Sequence, residues 1–200
     1  MKKKLNIGCE RDYLDGWVNV DFDTRFKADI RHNLNKFPYP FKDDTFDEVL
    51  ASAILEHLDD IYKLMAEIYR ISKDKALIHI LVPYQSSPIR FCDIEHKHHF
   101  SYYTFGEWWC NYEFYPYFEV LKKKIVFTRA NSTWMNKIMN PLINLSPKFY
   151  ERFLSFIVPA TTIVYILRVR KDKAFQEKQK RHAELMLKKR IDNYKFIREI

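Results

Sequence analysis

Glycine is nearly absent from this chain. Of 200 residues only Gly8, Gly16 and Gly106 are glycine, where average usage would place roughly fourteen. A loop that wraps its backbone around phosphate groups needs several residues free of a Cβ. Neither G-x-x-x-x-G-K-[ST] nor G-x-G-x-x-G occurs in this sequence, so phosphate-cradling folds are disfavoured. The chain otherwise has the material for a core. Apolar residues make up 47% and aromatics 16%, which excludes a wholly disordered chain and suits one domain of this length.

The pattern along the chain alternates strand and helix. Lys4–Ile7 reads as a strand ending at Gly8. Trp17–Phe22 (WVNVDF) alternates as a second and ends in Asp21, and Ala28–Leu34 is a third candidate. A proline-stiffened loop over Phe37–Thr45 precedes a strand at Phe46–Ser52. Ile54–Ile71 has helical apolar spacing, and Lys75–Val82 (KALIHILV) is a buried strand in which His79 is expected to be a satisfied core histidine. Strands separated by short connections and a helix predict a parallel α/β sheet. In the second half, Ser101–Tyr112 reads as helical and aromatic. Phe118–Thr128 and Thr161–Arg170 read as late strands able to pair antiparallel at the sheet edge.

Between those strands lies Asn131–Pro159, an insertion too apolar for an idle loop. Ser146-Pro147 marks a helix start, and Phe149, Tyr150, Phe153, Leu154 and Ile157 are expected on one apolar face. Its candidate roles are a lid, a dimer surface, a membrane-docking face, or packing on the sheet. The longest apolar run of the chain, Phe153–Leu167, falls short of the roughly eighteen residues a spanning helix needs.

The net charge is +8, but residues 170–200 hold eleven Lys/Arg and five Asp/Glu and carry most of it. That segment predicts a basic amphipathic helix with Leu187, Ile191, Tyr194 and Ile197 as its stripe. Too few aromatics interleave with its cations to argue for nucleic acid. Cys9, Cys92 and Cys110 form no C-x-x-C pair, so a reducing compartment is expected. MKKKLNIGCERDY has a basic start without an apolar run behind it, and no signal peptide is expected.

The chemistry centres on Gly8 and Asp21. In an open α/β sheet ligands sit at the carboxyl ends of the strands. Gly8 permits close backbone approach there, and Asp21 is suited to accept from the two hydroxyls of a ribose. The spacing fits a dinucleotide fingerprint poorly. A second cluster is Asp93-Ile94-Glu95-His96-Lys97-His98-His99. Its alternatives are an acceptor-side histidine, a solvated loop with one ordered histidine, and, ranked last, a metal site.

LNIGCERDYLDGWVNVDFD, ADIRHNLNKFPYPFKDDTFDEVLASAILEHL and EIYRISKDKALIHILVPY together resemble the class I S-adenosylmethionine-dependent methyltransferases. The nearest subgroup is the small enzymes of glycan and sugar pathways, and the likeness spans roughly residues 4–105. It implies an α/β, Rossmann-like, mostly parallel seven-stranded sheet with helices on both faces and an antiparallel edge strand. The methyltransferase domain would cover 1–170, with a lid or docking insertion at 131–159 and a basic helix at 171–200. The implied cofactor is S-adenosyl-L-methionine, with S-adenosyl-L-homocysteine as product.

The same resemblance implies the site. Ile7, Gly8, Cys9 and Glu10 form the loop under the methionine part, Asp21 takes the ribose and Phe22 lies against the adenine. Asn33 and Leu34 match the pair that reads adenine, and Ser52 adjoins the sulfonium. His96, His57 and Asp93 are the implied acceptor-side catalytic residues, and no metal is expected. Glu10 stands where the family has a second glycine. It would repel the cofactor carboxylate or pair with its ammonium. A non-catalytic module of the same fold, or a nucleic-acid methyltransferase using the basic tail, stays open as an alternative. The N-P-P-Y-type segment that favours base or amide nitrogen is replaced by Ser52-Ala53-Ile54-Leu55. The expected acceptor is therefore an oxygen or nitrogen of a small molecule or glycan, with nucleic acid disfavoured. The expected location is cytoplasmic, with peripheral membrane contact through 131–159, and a homodimer is an expected assembly.

Overall fold

A computed structural model of the chain describes residues 2–106, 116–128 and 133–198. Seven strands form one sheet: β1 (Lys4–Ile7), β2 (Val18–Asp21), β3 (Ile30–Arg31), β4 (Phe46–Ser52), β5 (Ser72–Pro83), β6 (Phe118–Val126) and β7 (Thr162–Val169). Their order is β3-β2-β1-β4-β5-β7-β6. The first five run parallel, β7 is antiparallel to β5, and β6 closes the edge antiparallel to β7. This is the expected Rossmann-like sheet, with the two late strands paired as anticipated. The strand order reverses between the parallel neighbours β1 and β4, whose carboxyl ends lead into Gly8 and Ala53.

Helix α1 (Ile61–Ile71) packs Leu64, Met65, Ile68 and Ile71 into the core. The spacing predicted a helix from Ile54, but the backbone there makes only a 3-10 turn over Leu55–His57 and Leu58 is extended. The Asp60 side chain accepts from Lys63 N and starts the true helix. The third strand is likewise shorter than Ala28–Leu34. Asn33 Oδ1 accepts the amide of Asn35 at 2.9 Å, and this local turn competes with the ladder. Of the aromatic segment, 102–106 form turns and Gly106 adopts φ +87. Residues 107–112 of that predicted helix, with Cys110, lie outside the described residues. His79 stands 3.0 Å from Glu48 on the neighbouring strand, half-buried rather than in the apolar core.

No helix separates β1, β2, β3 and β4. The link between the parallel strands β1 and β2 is a loop over residues 8–17, and its polar groups are satisfied from the core side. Asn19, fully buried, accepts from Leu14 N at 3.0 Å and donates Nδ2 to Leu14 O at 2.9 Å. Asn6 Nδ2 donates to Asn19 Oδ1 at 3.0 Å and to Asp12 O at 2.8 Å. Asp29 Oδ2 accepts the Asn19 amide at 2.7 Å. Two strand asparagines thus do what a crossover helix would do for its own backbone.

The apolar insertion is built from α2's successors on the far edge. After α2 (Ile89–Cys92) come α3 (Thr133–Leu145), the single turn α4 (Pro147–Phe149) and a π-helical turn over Tyr150–Leu154. Of the face expected from Phe149 to Ile157, Tyr150 is buried and the other four are exposed. Tyr150 donates its hydroxyl to Val158 O at 2.6 Å. Helix α5 (Lys173–Arg198) carries the basic tail. Leu187 is exposed on it, and the side chains of Ile191, Tyr194 and Ile197 lie outside the described residues. No helix among the described residues is long and apolar enough to cross a membrane.

Replacing Asn19 by Ala strands the buried groups of Leu14 and Asn6. Urea unfolding should register a loss of about 2 kcal/mol. A change below about 0.5 kcal/mol would mean that the loop is held by something else.

Candidate active site

The carboxyl end of β1 turns sharply. Gly8 adopts φ +66, and the amides of Gly8 and Cys9 both reach Val20 O, at 2.8 and 3.1 Å. A Cβ on Gly8 would lie 2.6 Å from Ile54 Cγ1. The bare Cα therefore admits Ile54, two residues beyond the end of β4, as a close packing partner. Ile7 and Cys9 are buried beneath the turn. Burial, followed by the nearby Asp21 charge, raises the Cys9 pKa, which suits packing rather than nucleophilic work.

Glu10 follows in a left-handed conformation at φ +37, with its side chain exposed. The backbone keeps the path a glycine would take, and the carboxylate is directed to solvent. The Glu10 amide donates to Asp21 Oδ2 at 2.8 Å, and the Asp23 amide to Asp21 Oδ1 at 2.8 Å. Asp21 is nearly fully buried, so its carboxylate is fixed in orientation at the end of β2 before any ligand arrives. Each oxygen retains a second lone pair for a hydroxyl donor.

The remaining residues expected on the cofactor side lie at or just beyond the carboxyl ends of β2, β3 and β4. Phe22 is exposed immediately after Asp21, at 67%. That is unusual for a phenylalanine of a packed domain and is what a face for a flat ring requires. Leu34 is buried and its carbonyl accepts Tyr39 Oη at 2.9 Å, while Asn33 is exposed and uses Oδ1 for the Asn35 amide. Ser52 is the last residue of β4 and precedes Ala53, itself left-handed at φ +53.

The histidine cluster joins the same end of the sheet. His57 lies in the turn after β4, and its ring centroid is 4.7 Å from that of His96 in an edge-on arrangement. The His96 side chain is only 5% exposed, with Nδ1 3.3 Å from Arg90 O and Nε2 3.9 Å from Asp93 Oδ2. The amides of Lys97 and His98 donate to Glu56 O at 2.7 and 3.3 Å, and His98 Nε2 lies 2.8 Å from Leu58 O. Two histidines of the segment are therefore held by the protein, His96 and His98, and His99 is exposed. Burial lowers the His57 pKa, as does the proximity of His96, while Asp93, Glu95 and Glu10 oppose them. The turn after β1 and the turn after β4 that carries His57 lie at the same, carboxyl end of the sheet.

One grouping escaped the sequence reading. Ligand atoms of Glu56, His57 and His96 lie within 4.8 Å of one another. Attention to the run His96–His99 missed it, because the partners come from the Leu55–His57 turn. The adjacent pair Glu56-His57 was the available signal.

Sheet order, a glycine turn on β1 and a clamped acid on β2 define a doubly wound α/β protein, a fold in which ligands sit at the carboxyl ends of the strands. A sequence model of the methyltransferase domain family matches residues 17–80. The chain superposes on an S-adenosylmethionine-dependent methyltransferase from Archaeoglobus fulgidus with TM-score 0.58 at 18% identity, covering 84% of this chain and 86% of that one. For a putative S-adenosylmethionine-dependent methyltransferase from Listeria monocytogenes the values are 0.58 at 9% identity, with 85% and 92% covered. For one from Mesorhizobium loti they are 0.55 at 12%, with 84% and 90% covered. No curated protein matches the chain. The family model spans about a third of the chain, and the chain shares the fold of these methyltransferase structures. The buried, pre-oriented Asp21 and the left-handed backbone at Glu10 have the chemistry to hold a ribose-bearing cofactor such as S-adenosylmethionine.

Glu10→Gly should keep stability or raise it by up to about 1 kcal/mol, because the left-handed strain offsets the extra chain entropy. Thermal unfolding checks this. A clear loss of stability would show that the Glu10 side chain holds the loop.

Proposed function

We propose that the enzyme methylates an oxygen or nitrogen of a small, hydroxyl-rich or glycan-type acceptor, with His57 as the base and His96 as the residue that positions it. The assignment of Ile7, Gly8, Cys9, Glu10, Asp21, Phe22, Asn33, Leu34 and Ser52 to the cofactor side is part of the same reading. When bound, S-adenosylmethionine supplies a methyl group on a sulfonium, whose transfer releases S-adenosylhomocysteine. Asp21 orients the cofactor through the ribose. The exposed ring of Phe22 stacks on the adenine.

The observation that carries the reading is the imidazole pair, 4.7 Å between centroids, at the strand ends. His57 takes the proton of the acceptor O–H or N–H as the new bond to carbon forms. Burial keeps its imidazole neutral and therefore able to accept. His96 is steered by Arg90 O and Asp93. The Ser52-Ala53-Ile54-Leu55 segment supports a hydroxyl or simple amine over a base nitrogen. A second reading rests on Glu56, His57 and His96, whose ligand atoms could share a divalent cation that polarises the acceptor.

The test is transfer of labelled methyl to a panel of sugars and sugar conjugates. His57→Asn should lower kcat by roughly 100-fold or more with a small change in KM. Because the folded pKa of His57 is depressed, the base form persists below its ordinary value. The acidic limb of the wild-type rate profile should fall below about pH 6.5 and vanish in the variant. An unaltered rate in His57→Asn removes the base assignment. Loss of activity with a chelator, restored by zinc or manganese, selects the metal reading instead.

A further inference from the structure

Helix α3 is amphipathic with the usual orientation inverted. Asn136, Asn140 and Asn144 recur every four residues and face the sheet edge. Asn136 Oδ1 accepts from Thr128 N at 3.1 Å and its Nδ2 donates to Thr128 O at 2.7 Å. Asn140 Oδ1 accepts from Phe127 N at 2.8 Å. Asn144 pairs with both backbone groups of Ile125, at 2.9 and 2.7 Å. The asparagine ladder satisfies backbone groups from Ile125 to Thr128, the end of β6 and the residues just beyond it, a stretch of edge that would otherwise invite another strand. Only Ile143 and Met139 on this side pack against the core.

Residues two positions away from the asparagines point oppositely on a helix of this period. Trp134, Ile138 and Leu142 are those residues, and with Leu145 they are 55 to 84% exposed. The next turns extend the surface. Phe149, Phe153, Phe156 and Ile157 are 54 to 74% exposed. A run of this size is far from the scattered single exposures of an ordinary surface.

Charge on the segment has one sign. Lys137, Lys148 and Arg152 are exposed beside the apolar residues. The only acid between residues 131 and 160 is Glu151, and it is turned inward. Tyr84 Oη donates to Glu151 Oε2 at 2.9 Å and Tyr102 N to the same oxygen at 2.6 Å. Tyr84 directly follows β5 at the site end of the sheet. Tyr102 follows the histidine segment. The acid is withdrawn from the surface and used to fasten it to the acceptor side of the domain.

We propose that this face docks on an anionic lipid surface. Aromatic and aliphatic side chains enter the headgroup boundary and the three cations meet lipid phosphates and carboxylates. A second copy is a poorer occupant, since an isologous contact would place Lys137, Lys148 and Arg152 against their own counterparts with no acid available. Through Glu151, docking would hold the carboxyl end of β5 and the histidine segment close to the interface, which suits a lipid-linked acceptor.

Flotation of the full chain with vesicles distinguishes these. Binding is expected with phosphatidylcholine containing roughly 30% phosphatidylserine, and much weaker binding with phosphatidylcholine alone. The triple variant Trp134→Ser, Phe153→Ser, Phe156→Ser should lose partitioning by roughly 100-fold, and Lys137→Glu with Arg152→Glu by roughly 10-fold or more. These side chains are exposed, and unchanged circular dichroism and S-adenosylhomocysteine affinity would certify the fold and the cofactor site. No flotation of the wild type overturns the proposal, and so does binding that the triple variant retains, which would assign it to the basic tail. A dimer in solution that the triple variant dissociates would assign the face to a second copy.

Discussion

The hydrogen bonds of Asn19 hold the cofactor end of the sheet in place. β1 and β2 are parallel neighbours joined only by residues 8–17. Such a connection usually contains a helix that satisfies its own backbone. Here the loop's polar groups turn inward to Asn19 and Asn6, and Asp29 braces Asn19 from the next strand. Gly8 and Asp21 sit on either side of this network. The glycine turn and the acid are held in register by it, so the stability of the core and the geometry of the cofactor turn are one problem.

The same economy explains how so few glycines suffice. The turn at Gly8 needs a bare Cα because Ile54 occupies the space above it. At position 10 the backbone is left-handed but the surroundings are open, so a glutamate fits at modest strain. Its amide still reaches Asp21. The conformation a second glycine would adopt is here adopted by a glutamate whose side chain is exposed.

Much of this was legible in the residues. Alternation located the buried strands, and Asp21 and the Leu55–His57 turn fall where expected, at the carboxyl ends of β2 and β4. The start of α1 was misplaced because helical spacing across Leu55 and Leu58 is met equally by a 3-10 turn followed by an extended residue. The short β3 was lost to an Asx turn at Asn33. The orientation of α3 was illegible because its asparagines match backbone groups of a strand distant in sequence. Likewise, Glu56, His57 and His96 meet only through long-range loop packing, for which no local pattern exists.

The central claim is that the turn at Gly8–Glu10 and the clamped Asp21 bind S-adenosylmethionine without a second glycine. Titration calorimetry of S-adenosylhomocysteine into the full chain and into Asp21→Ala tests it most directly. The account predicts saturable one-to-one binding by the wild type, weakened by at least about 10-fold when the ribose acceptor is removed. Absence of heat at millimolar ligand, or equal affinity in the two proteins, would contradict it.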